Sequence, residues 1–184
     1  MTCGKIDLAC TRCRLSKGRT QVVPGKGRCA SPIVFIGEAP GREEDLRGEP
    51  FVGRGGRLLD KVLDELGVDR SRVFISNLVK CRPPGNRRPR RDEIETCSRF
   101  LESELRAVKP KVVCALGQTV ANRLLGTNKR MAELVGEHNN VELAGMDVSF
   151  FVAYHPAACL YQRKNLDSFR KSIEESLRAA KLMR

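Results

Sequence analysis

Four short apolar runs punctuate the chain: Ile33 to Ile36, Val73 to Leu78, Val112 to Leu116, and Val148 to Tyr154. They are rich in β-branched or aromatic residues, and most are bounded by turn formers such as Pro32 and Gly37 or Pro110 and Gly117. That pattern predicts strands buried on both faces. Between the runs the apolar spacing becomes helical. Leu58, Leu59, Val62, Leu63 and Leu66 share one face of a helix that ends at Gly67. A second helix is predicted from Asp92 to Val108, with Ile94, Cys97, Phe100, Leu101 and Leu105 on one side. A third runs from Gln118 to Leu125 and stops at Gly126, and Leu166, Phe169, Ile173 and Leu177 mark a C-terminal helix. Strands alternating with helices imply right-handed crossovers and a mainly parallel, four-stranded α/β sheet covered on both faces. No repeat, low-complexity tract or linker divides the chain, so a single domain over 1–184 is expected.

Ligands bind such sheets beyond the carboxyl ends of the strands. The segments there are Gly37-Glu38-Ala39-Pro40-Gly41, Asn77 through Pro83-Pro84-Gly85-Asn86, Gly117-Gln118, and His155-Pro156-Ala157-Ala158. Most set polar groups beside Gly or Pro, the makeup of a rigid site loop.

Composition narrows the chemistry. At 41% hydrophobic and 30% charged, the 184 residues belong to a folded protein rather than a disordered tail. The absence of Trp argues against a carbohydrate-stacking surface. No apolar run approaches the roughly 20 residues of a membrane span, and the charged segment Met1 to Arg14 does not read as a signal peptide. A cytoplasmic, nucleoid-associated protein with no membrane partner is expected. The net charge of +12 suits a polyanion, because each neutralised phosphate releases counterions. Heat adaptation or plain solubility is the other reading of that charge. No Walker-type glycine–lysine–serine/threonine loop is present, which disfavours a nucleotide triphosphatase.

Eight cysteines without a secretion signal read as metal ligands plus buried thiols. Cys10-Thr11-Arg12-Cys13 can grip one metal centre from a single turn, and Cys81 and Cys97 form a wider second pair. Four thiolates suit either zinc or an iron–sulfur cluster. Cys114, inside a strand, reads as a small buried hydrophobe, and Cys3, Cys29 and Cys159 take no ligand role from spacing. Between the second pair lies a basic, proline-rich loop holding Arg82, Arg87, Arg88, Arg90 and Arg91. It reads as a phosphate-binding segment or, failing that, as a solvated charge run.

Four motifs then coincide: Gly37-Glu38-Ala39-Pro40-Gly41-Arg42-Glu43-Glu44-Asp45, Pro50-Phe51-Val52-Gly53, Asn77-Leu78-Val79-Lys80-Cys81-Arg82-Pro83-Pro84, and His155-Pro156-Ala157-Ala158. In this order, over Cys10 to about Asn165, the chain resembles the family 4 uracil-DNA glycosylases, the iron–sulfur branch of archaea and bacteria. The resemblance implies a three-layer α/β/α domain that flips uracil out of single- or double-stranded DNA and hydrolyses its glycosidic bond. It implies a [4Fe-4S] cluster on Cys10, Cys13, Cys81 and Cys97, joining the N-terminal segment to the 81–97 loop. A monomer is expected; a sliding clamp would suit replication-linked repair, but no motif encodes that contact.

Roles follow on the matching residues. Asn77 can read uracil: its amide oxygen accepts the N3 proton and its NH2 donates to O4, whereas cytosine presents the reverse pattern. The resemblance makes Phe51 the ring that stacks on the base, sets Glu44 against C5 where a thymine methyl would clash, and aims His155 at uracil O2. Backbone amides of Gly37, Glu38 and Ala39 are expected at the base. Each has a plainer reading: a turn asparagine, a core phenylalanine, a helix-start carboxylate, a core or surface histidine. Ala39 stands where the family 1 branch carries the aspartate that positions water, so Glu38, helped by Asn86, is the candidate base. Leu160 is expected to fill the gap left by the flipped base, with Tyr161 second, and Arg163 and Lys164 to lie near phosphates. A non-catalytic zinc-binding module on nucleic acid and a glycosylase of altered base preference are the competing readings.

Overall fold

The computed structural model describes residues 3–183. Six strands, β1 (Lys26–Gly27), β2 (Ile33–Gly37), β3 (Phe74–Asn77), β4 (Val112–Leu116), β5 (His138–Leu143) and β6 (Met146–Ala153), form one sheet in the order β1-β3-β2-β4-β6-β5. The helices are α1 (Arg42–Arg47), α2 (Arg54–Glu65), α3 (Arg91–Val108), α4 (Gln118–Leu125), α5 (Met131–Leu134), α6 (Pro156–Cys159) and α7 (Arg163–Ala179).

The four apolar runs supply the parallel centre, β3-β2-β4-β6, and every residue of β2, β3 and β4 is buried. Because strand side chains alternate, each strand feeds two cores. Val34, Ile36, Phe74, Val113 and Phe150 meet Phe100, Leu101 and Leu105 of α3 on one face. Ile33, Phe35, Ile75, Cys114 and Phe151 meet Leu59 and Leu63 of α2 and Phe169 and Ile173 of α7 on the other. The layers are therefore those expected. Cys114 is fully buried, and burial pushes its thiol up to about 12.

The sheet has six strands rather than the expected four. Both additions are antiparallel edges. β1 is two exposed residues with no apolar signal, and β5 carries its polar residues on an edge where a run of apolar residues is not required. His138 lies in β5 with its ring stacked on Phe151 at 4.5 Å. Cys3 and Cys29, expected as thiols, are joined in a disulfide that ties the N-terminal segment to the loop before β2. No helix among the described residues is long and apolar enough to cross a membrane.

After β2 the chain adds β3 on one side and β4 on the other, so the strand order reverses at β2. Loops leaving neighbouring carboxyl ends diverge at such a point and open a crevice. Register sets its floor: Gly37 lies beside Asn77, and Leu116 beside Ala153, two residues before His155.

Candidate active site

The crevice is a cleft of about 510 Å³, within the range of small-ligand sites. Its walls are the loop after β2 with the start of α1, the turn 51–56 leading into α2, Asn77, the loop 83–88, and His155 with Ala157. Glu38, Ala39, Glu44, Phe51, Asn77, Asn86 and His155 all line it, so seven of the expected base-site and catalytic residues come together from five separate segments. Gly37, expected at the base, does not itself line the cleft but packs against Asn77 and Phe51, which do. A Cβ there would collide with Asn77 Oδ1 and with the edge of the Phe51 ring, so only glycine lets those two groups meet.

Asn77 is 2% exposed, and its Oδ1 is the one buried side-chain oxygen or nitrogen among the described residues without a hydrogen-bond partner. Leaving such an atom unpaired costs about 1–3 kcal/mol, and it lies at the floor of an open cleft. Its backbone is held from below. Lys80 Nζ donates to the Asn77 carbonyl at 2.8 Å, to Ser76 Oγ at 2.6 Å and to Glu104 Oε2 at 2.7 Å. Glu104 also accepts from Gly25 N–H at 2.7 Å, so this buried ion pair has its hydrogen bonds filled.

Phe51 is 6% exposed with its ring edge against Gly37, and its centroid is 6.1 Å from that of His155. It is buried at the edge of the α2/α7 core, the plainer reading of it, while also lining the cleft, which leaves part of the ring available to a planar base. Glu44 is spent on backbone. Its Oε2 accepts from Gly41 N–H at 3.1 Å, and its Oε1 accepts from Val52 and Gly53 N–H at 3.0 and 2.8 Å. It thus ties the first loop to the Phe51 turn as well as lining the cleft.

His155 caps α6: its Nδ1 accepts from Ala157 N–H at 3.2 Å, which assigns the ring proton to Nε2. Burial lowers its pKa, only partly opposed by the Glu44 carboxylate, so the ring is neutral at neutral pH with Nε2 as donor. Gly117, at φ +109°, lets the His155 loop approach, since a Cβ there would stand 3.2 Å from that of His155. Nearby, Asn86 Oδ1 accepts from Arg82 Nε at 2.7 Å.

The arginine loop is more ordered than a solvated charge run. Arg87 grips the buried Glu93 through two bonds of 2.6 and 2.8 Å, which holds the Glu93 carboxyl down to about 2. Arg14 of the N-terminal segment pairs with Asp92 and lies 3.8 Å from Glu93, and Arg91 pairs with Glu95. Arg87 and Arg88 reach the cleft wall; Arg82, Arg90 and Arg91 do not line it. Leu160 is half-buried at the end of α6, whereas Tyr161 is 76% exposed and accepts a hydrogen bond from Arg54. Arg163 and Lys164 are exposed at the start of α7.

On the far side of Lys80, Cys10, Cys13, Cys81 and Cys97 line one small cavity. Arg19 donates to Cys81 Sγ at 3.3 Å and Lys80 N–H to Cys97 Sγ at 3.3 Å. Burial raises the Cys81 thiol and pushes Cys97 up to about 11. The sulfurs ring the cavity, and among the described residues no three donors converge as a single-ion site.

A cleft holding one unpaired buried amide oxygen, a ring face and a neutral imidazole donor suits a planar heterocycle with imide hydrogen-bonding groups. The model of the uracil DNA glycosylase superfamily matches residues 24–178, taking in all of these cleft residues. This chain belongs to the uracil-DNA glycosylase superfamily. It is 41% identical over 175 residues to the type-4 uracil-DNA glycosylase of Archaeoglobus fulgidus, covering 91% of this chain and 88% of that one. It is likewise 41% identical to the type-4 enzymes of Saccharolobus solfataricus (94% and 80% covered) and Pyrobaculum aerophilum (89% and 86%).

Three residues that line or brace the cleft went unread in sequence. Arg54 lines the cleft, and its placement between Gly53 and Gly55 at a helix start was a usable signal. Lys80 sits within a motif but beneath the site, and Arg70, in the 3₁₀ turn Arg70–Arg72, carried no signal at all.

Proposed function

We infer that the protein is a monofunctional, hydrolytic uracil-DNA glycosylase, releasing free uracil and leaving an abasic site. The unpartnered Asn77 Oδ1 carries this reading: it needs an N–H donor, and uracil N3 provides one while the Asn77 NH2 meets O4. Cytosine offers an acceptor at N3 and a donor at position 4, leaving groups unpaired on both sides. Phe51 stacks on the extruded base, Glu44 stands toward C5, and the amides of Gly37, Glu38 and Ala39 approach its edge. As the N-glycosidic bond breaks, its electron pair passes to the uracil ring, and His155 Nε2–H donates to O2, where charge grows. Glu38, with Asn86, orients the water whose oxygen bonds to the sugar carbon, and takes its proton. DNA reaches the cleft along Arg82, Arg87, Arg88, Arg90, Arg91 and Arg163, with Leu160 or the more exposed Tyr161 entering the stack. The substrate is uracil in single- or double-stranded DNA, and the enzyme acts as a monomer.

The assay is release of free uracil from an end-labelled duplex carrying one uracil. Glu38→Gln should slow turnover by roughly 10²–10⁴-fold; turnover near that of the parent would remove Glu38 from the role of base.

The cysteine cavity fits a [4Fe-4S] cluster, on the chemistry of its donors: four soft sulfurs around a space, with N–H groups aimed at two of them. Bound there, the cluster would cross-link the N-terminal segment to the 81–97 loop. Burial raises the Cys81 and Cys97 thiols and a bound metal would offset that cost, so ligation and folding are coupled. Anaerobically purified protein should be brown with about four irons and four sulfides per chain, and Cys97→Ser should lose most of both. A colourless protein with one zinc would overturn this assignment.

A further inference from the structure

Phe51 is a strained residue in the cleft wall. Its φ is +54°, a left-handed conformation that only glycine adopts freely, and the chain offers no glycine at this position. Neighbouring groups impose it. Arg70 reaches the turn from behind, donating from Nη1 to the Phe51 carbonyl at 3.0 Å and from Nη2 to the Pro50 carbonyl at 2.7 Å. Asp60 of α2 pairs with the same guanidinium. From the opposite side Glu44 holds the next two amides, those of Val52 and Gly53. Gly56 passes against the turn, where a Cβ would overlap the Phe51 carbonyl. Arg70 does not line the cleft, so it acts on the base only through Phe51.

We propose that Arg70 is the positioning residue of the base platform: its two-pronged grip on the Pro50 and Phe51 carbonyls locks the left-handed turn and sets the ring in place before DNA arrives. The proposal rests on the reading of Phe51 as the stacking ring. The geometry requires a guanidinium. Two adjacent carbonyls need a fork of fixed shape, which an ammonium cannot provide. Asp60 orients that fork and balances its charge. Without the grip the Phe51 backbone relaxes toward negative φ, and the ring leaves the position where it would hold an extruded pyrimidine.

The test is a double-mutant cycle on single-turnover uracil excision. Arg70→Gln is made together with Asp60→Asn, so that no carboxylate is left without its partner. The pair should slow excision roughly 10- to 100-fold, the scale of a misplaced binding group. Phe51→Ala should slow it comparably, and adding the pair to Phe51→Ala should cost less than about 2-fold more, since the platform is already gone. Arg70→Lys, which keeps the charge and reaches one carbonyl, should lose about 3- to 10-fold and carries the same cycle if the pair does not fold. Should Phe51→Ala excise uracil at the parent rate, the stacking reading fails and this proposal with it. If Phe51→Ala is slow while the Arg70 variants match the parent, or are equally harmful in both backgrounds, Arg70 is not the positioning residue and the stacking reading stands.

Discussion

Asn77→Asp is expected to abolish uracil preference, lowering single-turnover excision of uracil by roughly 10³-fold or more, because a site built around buried hydrogen bonds rejects a mismatched partner strongly. The substitution changes one group. Where the amide presented an NH2 to uracil O4, an ionised carboxylate presents a second acceptor, and two acceptors then face each other without water between them. The parent oxygen is already buried and unpaired, so the site was holding that cost in readiness for an N–H donor. Lys80, Ser76 and Glu104 beneath Asn77 bond to its backbone or to one another, so the fold should survive the change. The measurement is excision from matched oligonucleotides with one uracil, cytosine or thymine at the same place. The ratio of uracil to cytosine rates should collapse; an unchanged ratio would remove Asn77 from the role of reader.

His155→Ala is the second large effect, a loss of about 10²–10³-fold in kcat with little change in KM, since its hydrogen bond strengthens as charge develops on the departing base. The parent enzyme also has a defined pH signature. Burial lowers the His155 pKa, so the neutral ring should persist below pH 6.5, the ordinary histidine value, and kcat should fall only under it. In the alanine variant that acid limb should be absent from the profile. Stability follows the same sign. Above pH 6.5 both folded and unfolded states hold a neutral imidazole and the group contributes nothing to pH dependence. Below it the unfolded chain takes the proton first, so the fold loses stability until its own lowered pKa is passed. A kcat profile that declines at or above pH 6.5 would show a charged or exposed ring.

The parallel centre of the sheet was legible because a strand buried on both faces must be apolar along its whole length, as Ile33 to Ile36 and Val112 to Leu116 are. β5 was not, because an edge strand meets the core on one side only and can carry His138, Asn139 and Asn140. Asn77 and His155 were legible as polar residues at or just beyond strand ends, where a ligand is expected in any sheet of this kind. Glu44 was legible as a cleft residue but not as a brace, since its three backbone partners lie three to nine residues away and backbone amides leave no mark in a sequence.

Local sequence determined the alternation of strands and helices, the cap by which His155 keeps Nε2 as its donor, and the residue types gathered at the strand ends, because burial and backbone conformation act within a few positions of the chain. Tertiary structure alone decided that Gly37 lies beside Asn77, that Asn77 Oδ1 goes unpaired, and that Arg70 and Glu44 clamp Phe51 from opposite sides. Those outcomes depend on which distant groups reach a given hydrogen-bonding atom. The crossover of the chain at β2 sets that reach, and the spacing of residues does not.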